Sequence, residues 1–157
     1  MLHGAIYRAA PGSVIVVEAG DVEYAVAGGN LCATAQRRGI AGFIVDGVIR
    51  DIAETRQNRF PVFARGVIPK PGAKGVVGEY GVAVTCGGVR VGADDIVVAD
   101  EEGIVVVAAS DKDEVLRRAQ DLSAQEDALT LDEWETAHRA RIDQLLREGG
   151  LTGGSLI

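Results

Sequence analysis

Apolar positions along the chain follow two regimes. Up to residue 109 they form short continuous runs broken by glycine, and beyond it they recur at helical spacing. Residues 13–17 (SVIVV) follow Pro11-Gly12 and predict a buried strand. A loop over residues 18–23 leads to Asn30, the expected N-cap of a short helix over residues 31–38 that Gly39 ends. Residues 41–45 (AGFIV) predict a second strand, apolar on both faces as in a parallel sheet, stopping at Asp46-Gly47. A short helix near residues 52–56 and a strand over residues 61–64 complete the first half. Strand–helix–strand–helix–strand with connections this short predicts parallel crossovers.

After a Pro- and Gly-rich loop over residues 66–74, residues 75–109 read as short strands divided by glycines. Their spacing suits an antiparallel or mixed meander. Ser110 is the expected cap of the helical segment beyond it. Val115, Leu116, Ala119 and Leu122 share one helical face, and Leu131, Trp134, His138, Ile142 and Leu145 share another. Two such helices need a surface to cover their stripes, either the body or a neighbouring subunit. Residues 149–157 are expected to fray.

Composition sharpens this division into a body (residues 1–109) and a helical extension (residues 110–157). Of the 21 glycines, 17 fall in the body, whose net charge is −2, while the extension carries −5. A length of 157 residues suits one domain. With a net charge of −7 and no basic stripe, the chain lacks the counterion-release drive toward nucleic acid or an anionic membrane. Its longest apolar run, residues 104–109, is far short of a bilayer span, and Glu18 and Asp21 interrupt any signal-peptide pattern. Cys32 and Cys86 have no metal-ligand spacing and read as small packing residues in a reduced, cytoplasmic setting.

Three places can carry chemistry. Gly28-Gly29-Asn30 is a helix entry, where free N–H groups and the helix dipole favour an anion, although the residues alone favour a simple turn and cap. Arg50-Asp51 stands just past a strand end, where α/β sheets collect ligands. An arginine fork there can grip a carboxylate or enolate, and the aspartate can hold a hard divalent ion. Asp51-Ile52-Ala53-Glu54 also has the spacing of a capping box, so periodicity alone favours Asp51 as an N-cap, a role compatible with ion binding because a capping carboxylate keeps a free oxygen. Asp46-Gly47 is the third place. His3 and His138 are isolated, and Asp94, Asp95, Asp100, Glu101 and Glu102 read as solvated turn residues. Glu18-Ala19-Gly20 lacks the clustered glycines of a nucleotide loop, and no Walker-type or G-x-S-x-G motif is present.

Residues 28–66, GGNLCATAQRRGIAGFIVDGVIRDIAETRQNRFPVFARG, closely resemble the RraA-like and 4-hydroxy-4-methyl-2-oxoglutarate aldolase family. The run GFIVDGVIRD is the most specific part, and APGSVIVVEAGD upstream and VRVGADDIVVADEEGIVVVA downstream extend the match. The resemblance implies an α/β fold of the swivelling β/β/α type, assembled as a trimer or hexamer with sites between subunits. It implies a metal-dependent class II pyruvate aldolase that also decarboxylates oxaloacetate. Arg50 would bind the pyruvyl oxygens, Asp51 would anchor Mg²⁺ or Mn²⁺, and the backbone amides of Leu31 and Cys32 would receive the substrate carboxylate.

Two departures qualify it. Family aldolases carry an acidic residue about twenty positions before the Arg-Asp pair, a slot that falls here on Gly29 or Asn30. A residue that cannot ionise there puts the aldol step in doubt and leaves metal and 2-oxo acid binding intact. By the same resemblance, Glu126 would be the counterpart of a glutamate that in the family aldolases approaches the metal from an adjacent subunit. The chain also opens on residues that look like the last turns of a helix met mid-domain in the family, as a shortened member or one whose gene start lies upstream would. The leading expectation is thus a metal-dependent lyase on short 2-oxo acids. The alternatives are an RraA-type protein-binding regulator of ribonuclease activity and a scaffold whose site is idle.

Overall fold

The computed structural model describes residues 2–73 and 78–149. Strand β2 (Gly42–Ile49) is the centre of a three-stranded parallel sheet in the order β1 (Val14–Glu18), β2, β3 (Val62–Val67). Its apolar residues explain that place. Phe43, Val45 and Ile49 point into a core with Ile15, Cys32, Ala35, Ile40 and Phe60, while Ile44 and Val48 are buried outside that cluster. Only a strand covered on both faces buries both sets. Phe43 meets Phe60 edge to face, with ring centroids 4.8 Å apart. The crossovers are α2 (Gly29–Arg37) and α3 (Ile52–Gln57), and α1 (Leu2–Ile6) adds Leu2, Ala5 and Ile6 to the same core.

Strand β2 runs on through Asp46-Gly47, past the predicted stop. Asp46 is tolerated inside the strand because it is paired: Arg65 of β3 forms an ion pair with it, and its Oδ2 accepts the Gly87 N–H at 3.1 Å. The Asp-Gly turn signal is overridden by these partners, leaving only a register shift against β3 between Val45 and Val48. Glu18, opposite Asp46 in the β1–β2 register, likewise accepts the Thr85 N–H at 2.8 Å. The two carboxylates therefore pin the hairpin of β4 (Val84–Cys86) and β5 (Val89–Val91) to the sheet.

The expected meander is instead two separate antiparallel ladders, β4–β5 and β6 (Ile96–Ala99) with β7 (Ile104–Val107). Asp95 does more than face solvent: its carboxylate accepts from Gly92 N and Ala109 N and so ties together both ends of this segment. Asp100 does the same for the turn at Glu102 and Gly103. Residue 74 of the expected loop, residues 75–77 of the expected strand region and residues 150–157 of the expected frayed end lie outside the described residues.

The chain divides into two compact units, residues 1–110 and 111–157. The second holds α4 (Lys112–Asp127) and α5 (Leu131–Glu148). Asp111, rather than Ser110, takes the N-cap position of α4, because residues 109–111 already form a 3₁₀ turn. Helix α5 begins with a complete capping box between Thr130 and Glu133. The predicted stripes are present, with Trp134 and His138 stacked at 4.6 Å, and their large apolar members are exposed. No described helix is long and apolar enough to cross a membrane.

Candidate functional site

The sheet itself builds the site. Strand β1 ends opposite Asp46, and residues 25–27 take its place beside the end of β2. Val26 N–H donates to Val48 O at 3.0 Å and Arg50 N–H to Ala27 O at 2.9 Å. This ladder sets Gly28-Gly29, at the head of α2, against Arg50-Asp51, at the head of α3. The sequence places them twenty-two residues apart; the Ala25–Ala27 segment brings them into contact.

Contact is close. Asp51 Oδ2 accepts the Gly29 N–H at 3.1 Å and lies 3.6 Å from Arg50 Nε. A Cβ on Gly28 would overlap Asp51 Oδ2 and come within 3.1 Å of Arg50 Cγ and Nε, and one on Gly29 would come within 2.7 Å of Glu54 Cβ. The approach of α3 requires glycine at 29, where Glu54 Cβ leaves no room, whereas a methyl at 28 would have to displace the ends of the Asp51 and Arg50 side chains. Asp51 has φ +57°, the left-handed conformation that aspartate visits more readily than most residues. It does occupy the N-cap position of α3, but its side chain makes no bond to that helix, and the D-x-x-E capping box does not form. Its carboxylate caps the neighbouring helix α2 instead.

Asn30 is likewise not a cap. Helix α2 starts two residues earlier, with Gly28 at the N-cap position, and Asn30 is an exposed residue of its first turn. The N–H groups of Leu31 and Cys32 both turn back to Gly28 O, at 3.0 and 3.1 Å. Among the described residues no acceptor meets the Asn30 N–H, which is therefore the open donor of this helix entry. Arg50 and Asp51 keep 41% and 34% of their side-chain surface exposed, so the pair can be reached from solvent.

Below the pair sits a residue that the sequence patterns did not single out. Thr55 is 5% exposed, and its N–H and its Oγ1 both reach Asp51 O, at 3.0 and 3.1 Å. Oγ1 also lies 3.7 Å from Cys32 Sγ. The available signal was a threonine four residues after Asp51, where a helical hydroxyl meets the i−4 carbonyl. Burial, followed by repulsion from Asp51, holds the Cys32 thiol above its ordinary pKa even though Thr55 opposes the shift. Cys32 is thus a neutral packing group. Cys86 is also free, and its thiol is pushed up by partial burial and by Asp46.

The other predicted positions fall elsewhere. Asp46-Gly47 is held by Arg65 and the β4–β5 hairpin, and Glu126 lies in the last turn of α4 in the second unit. Among the described residues no three His, Cys, Asp or Glu side chains gather as a metal cage. What remains is one accessible carboxylate beside one guanidinium. That donor set fits a hydrated magnesium-type ion, which keeps several waters and takes one or two carboxylates together with substrate oxygens.

An α/β body with an Arg-Asp pair at a strand end, facing a glycine helix entry, is the class this fold and site define. The model of the RraA-like family, described as Aldolase/RraA, matches residues 1–106, and the chain belongs to that family. It is 39% identical over 125 residues to a protein of Halalkalibacterium halodurans named "Putative 4-hydroxy-4-methyl-2-oxoglutarate aldolase", covering 79% of this chain and 60% of that one. An uncharacterized Methanocaldococcus jannaschii protein is 37% identical over 111 residues, 71% of this chain and 53% of its own. The chain thus spans between half and three fifths of the length of these two relatives.

Solved structures agree. A Streptomyces coelicolor protein, described as an unusual member of the RNase ES inhibitor RraA family, superposes with a TM-score of 0.71 at 32% identity, over 89% of this chain and 68% of that one. The RNA-processing inhibitor RraA of Thermus thermophilis gives 0.59 at 34% identity, over 62% of each chain.

Proposed function

We propose that this chain is a divalent-cation-dependent carbon–carbon lyase acting on short 2-oxo acids. Its products would include pyruvate, from oxaloacetate by decarboxylation or from 4-hydroxy-4-methyl-2-oxoglutarate-like substrates by retro-aldol cleavage. The observation that supports this reading is the contact of Arg50-Asp51 with the head of α2, which sets a carboxylate, a guanidinium and an open helix N–H within one small surface. Similarity to proteins named as aldolases points the same way.

In this reading the substrate carboxylate is received at the head of α2 by the Asn30 N–H and the helix dipole. The Arg50 guanidinium grips the 2-oxo oxygen and stabilises the negative charge that C–C cleavage leaves there as an enolate. Asp51 would hold Mg²⁺ or Mn²⁺, which when bound supplies electrophilic polarisation of the 2-oxo group. Decarboxylation then needs only a proton for the enolate. Retro-aldol cleavage also needs a base for the hydroxyl proton, and Asn30 can orient a water but cannot take its proton. The residues in hand therefore support decarboxylation best. Because Arg50 and Asp51 stand open to solvent, we further propose that a homo-oligomer, a trimer or hexamer, closes the site, with Glu126 of a neighbouring subunit approaching it.

The test is pyruvate release from oxaloacetate and from hydroxylated 2-oxo diacids, with Mg²⁺ and with excess chelator. Chelator-sensitive release supports the proposal; none in either condition removes it. The similarity to an RNA-processing inhibitor favours a second reading, a protein-binding regulator of a ribonuclease. Inhibition of a purified ribonuclease that survives Arg50→Ala would favour that reading over the lyase.

A further inference from the structure

We infer that Thr55 is a positioning residue for Asp51, holding its backbone so that the carboxylate stays at the head of α2. The inference rests on the proposed function for its catalytic meaning, but its geometry stands alone. Asp51 is held from two sides. Its carboxylate meets Gly29 N–H at 3.1 Å, and its carbonyl receives both the N–H and the hydroxyl of Thr55, at 3.0 and 3.1 Å.

Ordinary helix bonding would supply the first of the two carbonyl contacts. The second costs something: a hydroxyl buried to 5% exposure must find partners or lose its hydration uncompensated. Thr55 finds them in Asp51 O and, at 3.7 Å, Cys32 Sγ. The one proton of the Thr55 hydroxyl is directed at Asp51 O, with Cys32 Sγ as a second, more distant acceptor. That chain runs from α2 through α3 to the residue whose carboxylate returns to α2. It closes a loop around a backbone position, φ +57°, that a non-glycine residue adopts only when its surroundings fix it.

The local sequence shows why this hydroxyl differs from others on the same pattern. Thr34 and Thr136 also bond the carbonyl four residues back, at Asn30 and Asp132, but both of those contacts are exposed. Neither is tied to a residue of left-handed conformation. Thr55 alone among these three is buried and bound to the site.

Thr55→Val keeps the shape and removes the hydroxyl; Thr55→Ser restores it. The readouts are the Gly29 amide resonance, which reports the Asp51 carboxylate, and the dissociation constant for Mn²⁺. With Thr55→Val the Gly29 amide should move toward its position in Asp51→Ala and Mn²⁺ should bind about three- to tenfold more weakly, the scale of one hydrogen bond. Thr55→Ser should return both to wild type. A Thr55→Val protein that loses melting temperature while Gly29 and Mn²⁺ binding stay at wild type would overturn the inference. So would a failure of Thr55→Ser to restore Gly29. If wild type binds no Mn²⁺, the lyase reading fails, whereas Gly29 still decides the role of Thr55.

Discussion

Asp51 caps a helix to which it does not belong: its Oδ2 accepts the Gly29 N–H of α2 at 3.1 Å, although the residue stands at the head of α3. One carboxylate thus joins the two helices that flank the proposed site, and the charge and the hydrogen bond can be separated by substitution. Asparagine accepts the same N–H and tolerates φ +57°, but carries no charge for a cation. Asp51→Asn is expected to keep stability within about 0.5 kcal/mol while abolishing divalent-cation binding. Asp51→Ala loses the cap and strains the backbone, at a cost of about 1–3 kcal/mol. Denaturant unfolding of the two variants, alongside Mn²⁺ titration, checks both statements.

Gly28→Ala drives a methyl group into Asp51 Oδ2 and against Arg50. The expected result is loss of lyase activity beyond what the stability change, about 1–3 kcal/mol, accounts for. Activity measured at a temperature where the variant is fully folded by circular dichroism separates the two effects.

Both thiols are held above their ordinary pKa, first by burial and then by Asp51 for Cys32 and Asp46 for Cys86. A thiol with a raised folded-state pKa contributes stability below the unfolded value and loses it as pH rises through the folded one. Reaction with a chromogenic disulfide should therefore be slow at neutral pH. It should rise with a midpoint above that of a free cysteine and reach Cys86 before the fully buried Cys32. Mass spectrometry of the labelled protein against pH gives the order.

Helix α5 carries an acid-side counterpart. The Thr130 N–H and hydroxyl both reach Glu133 Oε2, at 2.9 and 2.7 Å, and these bonds hold the Glu133 carboxyl below its ordinary pKa. A depressed carboxyl contributes stability above its unfolded pKa and loses it as pH falls through the folded one. The Thr130 amide resonance should accordingly titrate with a midpoint below that of an ordinary glutamate. Thr130→Ala removes only the hydroxyl bond and should raise the Glu133 midpoint part of the way, the Thr130 N–H bond remaining.

Sequence patterns went far for the body. Continuous apolar runs announced β1, β2 and β3, and glycine spacing announced the short strands after them, though as one meander rather than two hairpins, because burial on one or two faces is written directly in residue type. They also singled out Arg50-Asp51 and Gly28-Gly29 as chemistry-bearing pairs. What they missed was tertiary. Asp46-Gly47 carries the residue types of a turn, and only Arg65 and Gly87, far along the chain, make it strand. Asp51 and Glu54 have capping-box spacing, and only the approach of α2 diverts the carboxylate to Gly29. Thr55 matters through its burial beside Cys32, which no local spacing expresses.

In the proposed lyase, Arg50 and a cation held at Asp51 act together to promote C–C cleavage of a 2-oxo acid. Their joint role is read from the initial rate of pyruvate formation from oxaloacetate, corrected for the metal-only reaction, for wild type and Arg50→Ala with Mg²⁺ and with chelator. The expected rate depends on Mg²⁺ and falls about 10²–10³-fold in Arg50→Ala, the scale of one lost electrostatic stabiliser. Equal rates in wild type and Arg50→Ala, or a rate indifferent to chelator, would contradict that joint role.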